Sequence, residues 1–478
     1  MTADTAVSVN YHALYLQDDW KVRPKLTLNL GLRWEYEGPA EDRFNTYPNF
    51  DPFMASPLQV PGMTLKGGNV WPETSGLPKG LTAQSFKNFG PRFGFAYQVR
   101  PKTVVRGGYG IMYIPTFGPS GLVVTGAGFS IITPMVTTLD GGLTPYNTLD
   151  NPFPQGLQQL TGSALGAMTS VGGAAAGQLR DQHRGYTQQW NLTIQHEPWA
   201  NWLFEAAWVG NHGSRLITGT NLNFLPDQYL SLGSQLLTTV PNPFYGIIKT
   251  GTLSTATITR RQLLLPFPQF TSVSGGSSYW GNSIYHALAF KVEKRFSQGF
   301  SLLAAYTASK LIDDLPATGR PGAVATSGIQ NWNNLRGERA RSAQDIPQRL
   351  VLTGIWEVPY KPANPLLKHT LGGWQVNSIA TIESGRPIGL TATISGGGNR
   401  PNSTGTSAKL DSPTMARWFD TLQFTQPAAF TYGNVSRTLP DVNSDGLFNL
   451  DFSVFKNFSL TERVKLQFRT EIFNLTNS

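Results

Sequence analysis

The sequence contains no cysteine. That single absence removes disulfides, thiolate metal sites and cysteine nucleophiles together, and it suits a chain that crosses an oxidising compartment. Charge is also scarce. Asp, Glu, Lys and Arg make up 14% of the chain, against about 25% in soluble globular domains. No run of about 18 apolar residues occurs, which excludes helical membrane spans but not strands that cross with alternating residues. The formal charge of +9 is not gathered into a basic block or helix. It reads as scattered solvated charge, and no nucleic-acid partner is expected.

Catalytic signatures are missing too. The histidines, His12, His183, His196, His212, His286 and His369, lie far apart and none sits in a paired metal-ligand spacing. There is no nucleophile elbow and no phosphate-binding loop. Gly107-Gly-Tyr-Gly110 lacks the helix a dinucleotide site needs, and reads as a strand whose glycines ease bulky neighbours. Asp18-Asp19 reads as a polar cap beside Trp20 at a strand end. The chain is therefore not read as an enzyme, and no cofactor is expected. One pattern resembles half of a calcium loop: Asp441, Asn443 and Asp445 followed by Gly446. The bidentate acid such a loop needs at its twelfth position is replaced by Phe452, so ordinary turn chemistry accounts for these residues.

What the chain has in quantity is Gly (50), Pro (33) and aromatic residues (12%), together with a repeated period of two. Leu26, Leu28, Leu30, Leu32, Trp34 and Tyr36 alternate with Thr27, Asn29, Gly31, Arg33 and Glu35. Val464, Leu466, Phe468 and Ile472 alternate in the same way with Lys465, Gln467, Arg469 and Glu471. A strand places such sets on opposite faces, whereas a helix would scatter them. Further strands are read near 11–20, 91–99, 103–114, 186–197, 202–210, 284–296, 300–310, 347–358, 373–383 and 447–457. Many approach ten residues, the length of a tilted membrane strand, whereas soluble strands average about five or six.

The connections alternate as well. Short turns follow Lys21, Arg100, Pro198, Ser297 and Phe458, with a longer one at Pro359–Gly372. Long stretches rich in Gly, Pro, Asn, Ser and Thr fill 37–90, 115–185, 211–283, 311–346 and 384–446. Within them, Gly396–Asn402 reads as a flexible outer loop and Gly162–Gly177 as a short helix or mobile segment. In a meander, every short turn falls on one rim and every long loop on the other, the asymmetry of outer-membrane barrels with their periplasmic turns and extracellular loops. Tyr11, Trp20, Trp34, Tyr36, Trp199, Trp202, Trp356 and Trp374 cluster near strand ends, as membrane-interface girdles do. The polar set Arg33, Glu35, Lys465, Gln467, Arg469 and Glu471 would then face the lumen.

These residues carry a family resemblance. The run from Leu16 through Trp20 to Tyr36 resembles a signature stretch of TonB-dependent outer-membrane receptors, in particular the Oar-like barrel group with a carboxypeptidase-regulatory-like N-terminal domain. Asn88–Tyr97, Val105–Gly110, Lys294–Ser301, Tyr306–Lys310, Asp345–Leu350, Gly372–Gln375, Ser384–Pro387, Asn399–Asn402, Asn449–Phe458 and Arg469–Asn477 are similar to the same group, in the same order. The resemblance implies an energised receptor and transporter of the cell outer membrane. Its barrel sits in lipid, a plug domain fills it, the TonB complex pulls on the plug, and an extracellular ligand is taken up.

The expectation is an all-β, antiparallel transmembrane β-barrel portion over residues 1–478. It would supply about 12 of the roughly 22 strands of complete outer-membrane transporters. Met1-Thr-Ala-Asp lacks the parts of a secretion signal, and Leu475–Ser478 is not a terminal aromatic strand. Signal peptide, plug and final strands are thus expected outside this piece. Two other readings stand beside the energised receptor: a passive porin, and a soluble all-β binding or structural protein. The second would show equal repeats near 40 residues, and the spacing here is unequal.

Overall fold

The computed structural model describes residues 2–115, 127–133, 135–181, 183–249, 251–316, 328–360, 363–364, 367, 370–459 and 463–477. Parts of the Pro359–Gly372 connection (including His369) and of the turn after Phe458 lie outside them. Twelve long strands form one antiparallel meander in which every strand pairs with its neighbours in sequence. They are β1 (Tyr11–Arg23), β2 (Leu26–Glu37), β3 (Asn88–Arg100), β4 (Thr103–Tyr113), β5 (Tyr186–His196), β6 (Trp202–Thr218), β7 (Ser278–Ser297), β8 (Phe300–Asp313), β9 (Gln348–Glu357), β10 (Trp374–Glu383), β11 (Leu447–Ser459) and β12 (Lys465–Ile472). A two-residue strand, Ala340–Arg341, adds to the outer end of β8. No helix among the described residues is long and apolar enough to cross a membrane.

Turn chemistry fixes the register of these hairpins. Between β7 and β8, Ser297 opposes Phe300, and the two residues between them, Gln298 (φ 55) and Gly299 (φ 76), both have positive φ. Two such residues twist a hairpin with the right hand for its strands. The glycines inside strands make room for rings. A Cβ on Gly210 would stand 2.1 Å from the Trp190 ring, and one on Gly107 would stand 2.5 Å from the Phe95 ring.

Residues directly opposed across an antiparallel pair share a face. The register gives one face Leu16 opposite Leu32, Leu30 opposite Phe93, Leu192 opposite Trp208, Trp208 opposite Leu288 and Ile382 opposite Phe448. These side chains are solvent-exposed in the protein alone: Leu16 is 78% accessible, Leu288 50% and Phe448 44%. An apolar surface that continues over the whole sheet far exceeds the few hundred Å² that a soluble monomer leaves in water. It is the lipid-facing band of a membrane sheet.

The buried apolar core lies elsewhere. Ala287 is the single buried hydrophobic residue on the twelve strands among the described residues; the others belong to the long connections. Leu58, Val60 and Leu65 pack with Phe244, Ile248, Leu253 and Ile258. Phe50 and Ala175 pack with Phe267, Phe270 and Val273. A third cluster joins Ala408, Val435, Leu439 and Val442. The stretches that composition marks as irregular loops thus condense into an outer assembly with its own cores. The reason is long-range pairing. Asn49–Ala55 pairs with Lys66–Val70, and Ala174–Ala176 lies parallel to Ser272–Ser274. The Gly162–Gly177 segment contributes Met168 and Val171 to these clusters.

This inverted arrangement has a measurable consequence. Phe270→Ala empties a fully buried site and is expected to cost the outer assembly about 3–5 kcal/mol. Leu30→Ala on the lipid band should cost far less. Protease cleavage of the loops in lipid-embedded protein, read by mass spectrometry, should rise for the first variant and stay at the wild-type level for the second.

Candidate functional site

The polar face of the sheet is the first candidate surface. Following opposed residues from strand to strand puts Arg33, Glu35, Lys465, Gln467, Arg469 and Glu471 on one face, opposite the apolar band. Neighbours on this face satisfy one another. Arg33 pairs with Glu35 at 2.6 Å, Gln195 donates to Glu205 at 2.6 Å, Lys291 pairs with Glu293 at 2.8 Å and Arg349 with Glu383 at 2.7 Å. Gln467 donates to Asn457 at 2.7 Å, and the Arg469 guanidinium lies 4.9 Å from the Phe455 ring centroid.

The aromatic residues divide by position. Trp20, Trp202, Trp356 and Trp374 lie on the apolar face near the short turns, and Trp199 stands in the turn before β6. Trp34 and Tyr36 lie on the same face towards the long loops, with Tyr36 stacked on Phe86 at 4.6 Å. Tyr11 opposes Glu37 on the polar face, where its hydroxyl accepts a hydrogen bond from Arg33 at 3.1 Å.

Charge also ties the polar face to the loops. Arg184, buried at the loop end, reaches Glu37 at 2.9 Å and Glu35 at 3.6 Å, and its guanidinium lies 5.7 Å from the Tyr113 ring. Glu35 is therefore shared between a strand arginine and a loop arginine.

Buried amides staple the outer assembly. Asn49 Nδ2 donates to the carbonyls of Leu81 and Gln178 at 2.6 and 2.9 Å. Asn223 donates to Phe270 O at 2.9 Å and accepts from Phe267 N at 2.9 Å. Asn242 donates to Leu253 O at 2.8 Å, and Gln269 donates to Lys66 O at 2.7 Å across the chain. A buried carbonyl without a donor is costly, so each amide fixes the path of two backbone segments. In sequence these residues look like ordinary loop asparagines and glutamines. The one signal is their proximity to aromatic pairs, as in Asn49-Phe50 and Gln269-Phe270.

Ion pairs link the end of β8 and the connection after it to the connection after β10. Arg400 pairs with Glu338 and Arg437 with Asp313, all four nearly inaccessible. Arg437 also donates to Glu338 O at 3.2 Å. Arg341 bridges Asp345 at 3.0 Å and Asn443 Oδ1 at 3.1 Å. The acid-rich turn is drawn into this network: Asp441 accepts from the Ser407 hydroxyl, and Asp445 accepts from Gly446 N at 2.9 Å. Each of the three side chains is engaged by a different partner. No group of three or more His, Asp or Glu able to hold a metal occurs among the described residues.

Asp227 joins three connections at one carboxylate. It accepts from Asn331 at 2.9 Å, Asn333 at 2.8 Å and the Tyr432 hydroxyl at 3.0 Å. Burial would push its carboxyl up, but these three donors outweigh it and hold the group below the ordinary carboxylate range. Burial and the Asp227 charge together push the Tyr432 hydroxyl well above its usual range.

Two clefts of this assembly have volumes near 500 Å³. One of about 520 Å³ is lined by Phe50, Phe53, Val70, Leu179 and Leu222, with Asp51, Arg180 and Asp181 among its walls. Arg180 donates to Gly80 O at 2.8 Å, and burial holds its guanidinium below the usual range. The other, of about 490 Å³, is lined by Ser403, Ser407, Phe424, Asn434, Val435 and Asp441. Both volumes lie in the range of small-molecule sites.

A family model described as an outer membrane beta barrel domain matches residues 2–478. No curated protein sequence matches the chain. Among solved structures, the chain is similar to the outer membrane transporter YddB from Escherichia coli, at 10% identity and a TM-score of 0.47, over 98% of this chain and 42% of that one. It is also similar to the ferric-catecholate import receptor Fiu from Escherichia coli K12, at 10% identity and a TM-score of 0.41, over 99% and 41%. A third is the siderophore receptor PiuA from Acinetobacter baumannii, at 10% identity and a TM-score of 0.40, over 99% and 40%. The chain thus spans about two fifths of the length of these structures.

Two outcomes test the loop junctions. Arg437→Met strands a buried carboxylate and is expected to cost about 3–5 kcal/mol, while joint Arg437→Met and Asp313→Leu should recover most of it. Equilibrium unfolding of the outer assembly, followed by protease protection, reads the difference. For Asp227 the folded pKa is depressed, so its contribution is full above the unfolded carboxylate range and disappears as pH falls through the folded value. Protection near Asn331 and Tyr432 should fall on acidification, and Asp227→Asn should start lower with a flatter profile.

Proposed function

The chain belongs to the outer membrane beta barrel domain family, and from that premise we propose that it forms the barrel of an energised TonB-dependent receptor, in which the outer assembly captures an extracellular ligand. Residence in the outer membrane and the antiparallel barrel fold are properties of the family and of this sheet. The finer reading rests on the ordered motif resemblance from Leu16 to Asn477. One structural observation carries it furthest. The outer connections are packed, stapled and provided with clefts, as a ligand-capturing surface requires.

In this reading Arg33, Glu35, Lys465, Gln467, Arg469 and Glu471 face the lumen and the plug, and the Trp20, Trp202, Trp356 and Trp374 belt sits at a membrane interface. Ligand held by the outer assembly passes inward when the TonB complex displaces the plug, and no covalent bond changes. The Oar-like group is the subgroup the motifs favour.

The test is energetic. Medium depletion by the host strain, compared by mass spectrometry with a deletion of this protein, identifies the compounds whose uptake depends on it. That uptake is expected to stop when TonB is deleted or a protonophore is added. Uptake that persists without TonB would replace this reading with a passive porin.

A further inference from the structure

Exposed cations crowd two neighbouring short turns of the sheet. In the outer loops, three arginines are held in buried pairs: Arg184 with Glu37, Arg400 with Glu338, Arg437 with Asp313. The short-turn rim is different. The turn between β1 and β2 carries Lys21, Arg23 and Lys25, and the turn between β3 and β4 carries Arg100 and Lys102. All five are exposed. None has a described carboxylate within 4.0 Å, whereas Arg295, two turns further along, lies 3.9 Å from Glu197.

These two turns are one surface. Gln98 N donates to Lys25 O at 2.8 Å, which fixes them side by side. Of the nearest acids, Asp19 accepts the Asn29 amide at 2.6 Å, and Asp18 lies on the apolar face opposite Leu30. Lys102 reaches the next turn, where its ammonium donates to Pro198 O at 3.1 Å. Immediately above the cations the lipid-facing band ends in exposed rings, Trp20 (53% accessible) and Tyr97 (44%). Trp20 opposes Leu28 and Tyr97 opposes Leu26, so both lie on the apolar face. A row of cations below an aromatic edge meets a bilayer at the depth of the phosphate groups.

Lys21 opposes Thr27 on the polar face, and we propose that the rim formed by Arg23, Lys25, Arg100 and Lys102 is a binding surface for anionic phospholipid headgroups of the leaflet that surrounds the short turns. Two features select this occupant over an acidic protein. The cations continue directly from a surface that already faces lipid, and the net positive charge stands without internal counterions. Phosphatidylglycerol and cardiolipin supply phosphates at the required depth, and the zwitterionic headgroup of phosphatidylethanolamine leaves the charge unneutralised. The surface anchors one arc of the sheet, β1 to β4, to the leaflet. This role is independent of which ligand the outer assembly takes.

The full chain, extracted from outer membranes in mild detergent, carries its retained phospholipids into a mass-spectrometric assay. Phosphatidylglycerol plus cardiolipin should be enriched about threefold over their share in the source membrane. The joint substitution Arg23→Gln, Lys25→Gln, Arg100→Gln and Lys102→Gln should return the ratio to that of the membrane. An outer-loop control, Lys66→Gln, Lys79→Gln and Lys87→Gln, should keep the enrichment. Should the rim variant fail to fold, wild-type protein alone decides. Its heat-modifiable migration temperature in vesicles should rise with the phosphatidylglycerol fraction at about 50 mM salt, and the rise should vanish at about 500 mM. Enrichment that is equal in the rim and control variants, or a migration temperature indifferent to headgroup charge, would overturn the proposal. So would crosslinking of the rim to an acidic periplasmic protein with no lipid enrichment.

Discussion

Backbone hydrogen bonding in a medium without water governs this structure. A peptide group left unpaired in hydrocarbon costs several kcal/mol, so a chain that crosses lipid as strands must give each strand a partner on both sides. The meander does this for every strand between its two end strands, with the fewest demands on sequence. Each of the ten inner strands bonds to its two chain neighbours, and short turns such as Gln298-Gly299 set the register. Once register is set, period two assigns every side chain to a face. The apolar band, the polar face and the aromatic edges follow from that assignment and need no further packing rule.

The same constraint moves the hydrophobic core. The sheet spends its apolar residues on contact with lipid, so little is left to bury within it, and Ala287 stands alone as a buried hydrophobic strand residue among those described. Burial of the usual kind occurs where the chain leaves the membrane and meets water. There the long connections behave as a small globular protein, with aromatic clusters around Phe50, Phe244 and Phe270 and buried amides in place of secondary structure. The arrangement divides the labour between lipid and water. The strands hold the ends of the long connections in fixed register, and the clefts lie among those connections.

The sequence and the structure agree where the physics is local. All twelve long strands coincide with segments read from alternation, including Leu26–Glu37 and Lys465–Ile472, because a face is visible within a single strand. Some strands extend further than the alternation shows. Ser278–Ser297 begins in a Gly/Ser-rich stretch whose pairing, with a register shift near Gly213, depends on β6. The outer assembly was not legible. Gly162–Gly177 reads by composition as a short helix or a mobile segment; it holds a single 3-10 turn, Gly166–Met168, and its Met168, Val171 and Ala175 pack against residues more than seventy positions away. Arg437 and Asp313 are 124 positions apart, and nothing near either announces the pair. Asp441, Asn443 and Asp445 match half of a calcium loop by spacing and read as turn chemistry; in the structure Asp445 accepts from the adjacent Gly446 N, while Asp441 and Asn443 are engaged by Ser407 and Arg341 of other segments. Spacing alone does not report which loop lies opposite.

The central claim is that one face of the sheet meets lipid and the other meets water. The absence of native cysteine makes it directly measurable. Single cysteines at Leu192, Thr193, Leu288 and Ala289, each carrying a nitroxide in bilayer-embedded protein, report collisions with lipid-soluble oxygen and with a water-soluble nickel chelate. The account predicts that Leu192 and Leu288 favour oxygen while Thr193 and Ala289 favour the chelate, a reversal at each step along the strand. Equal accessibility at neighbouring positions, or the opposite alternation, would contradict it.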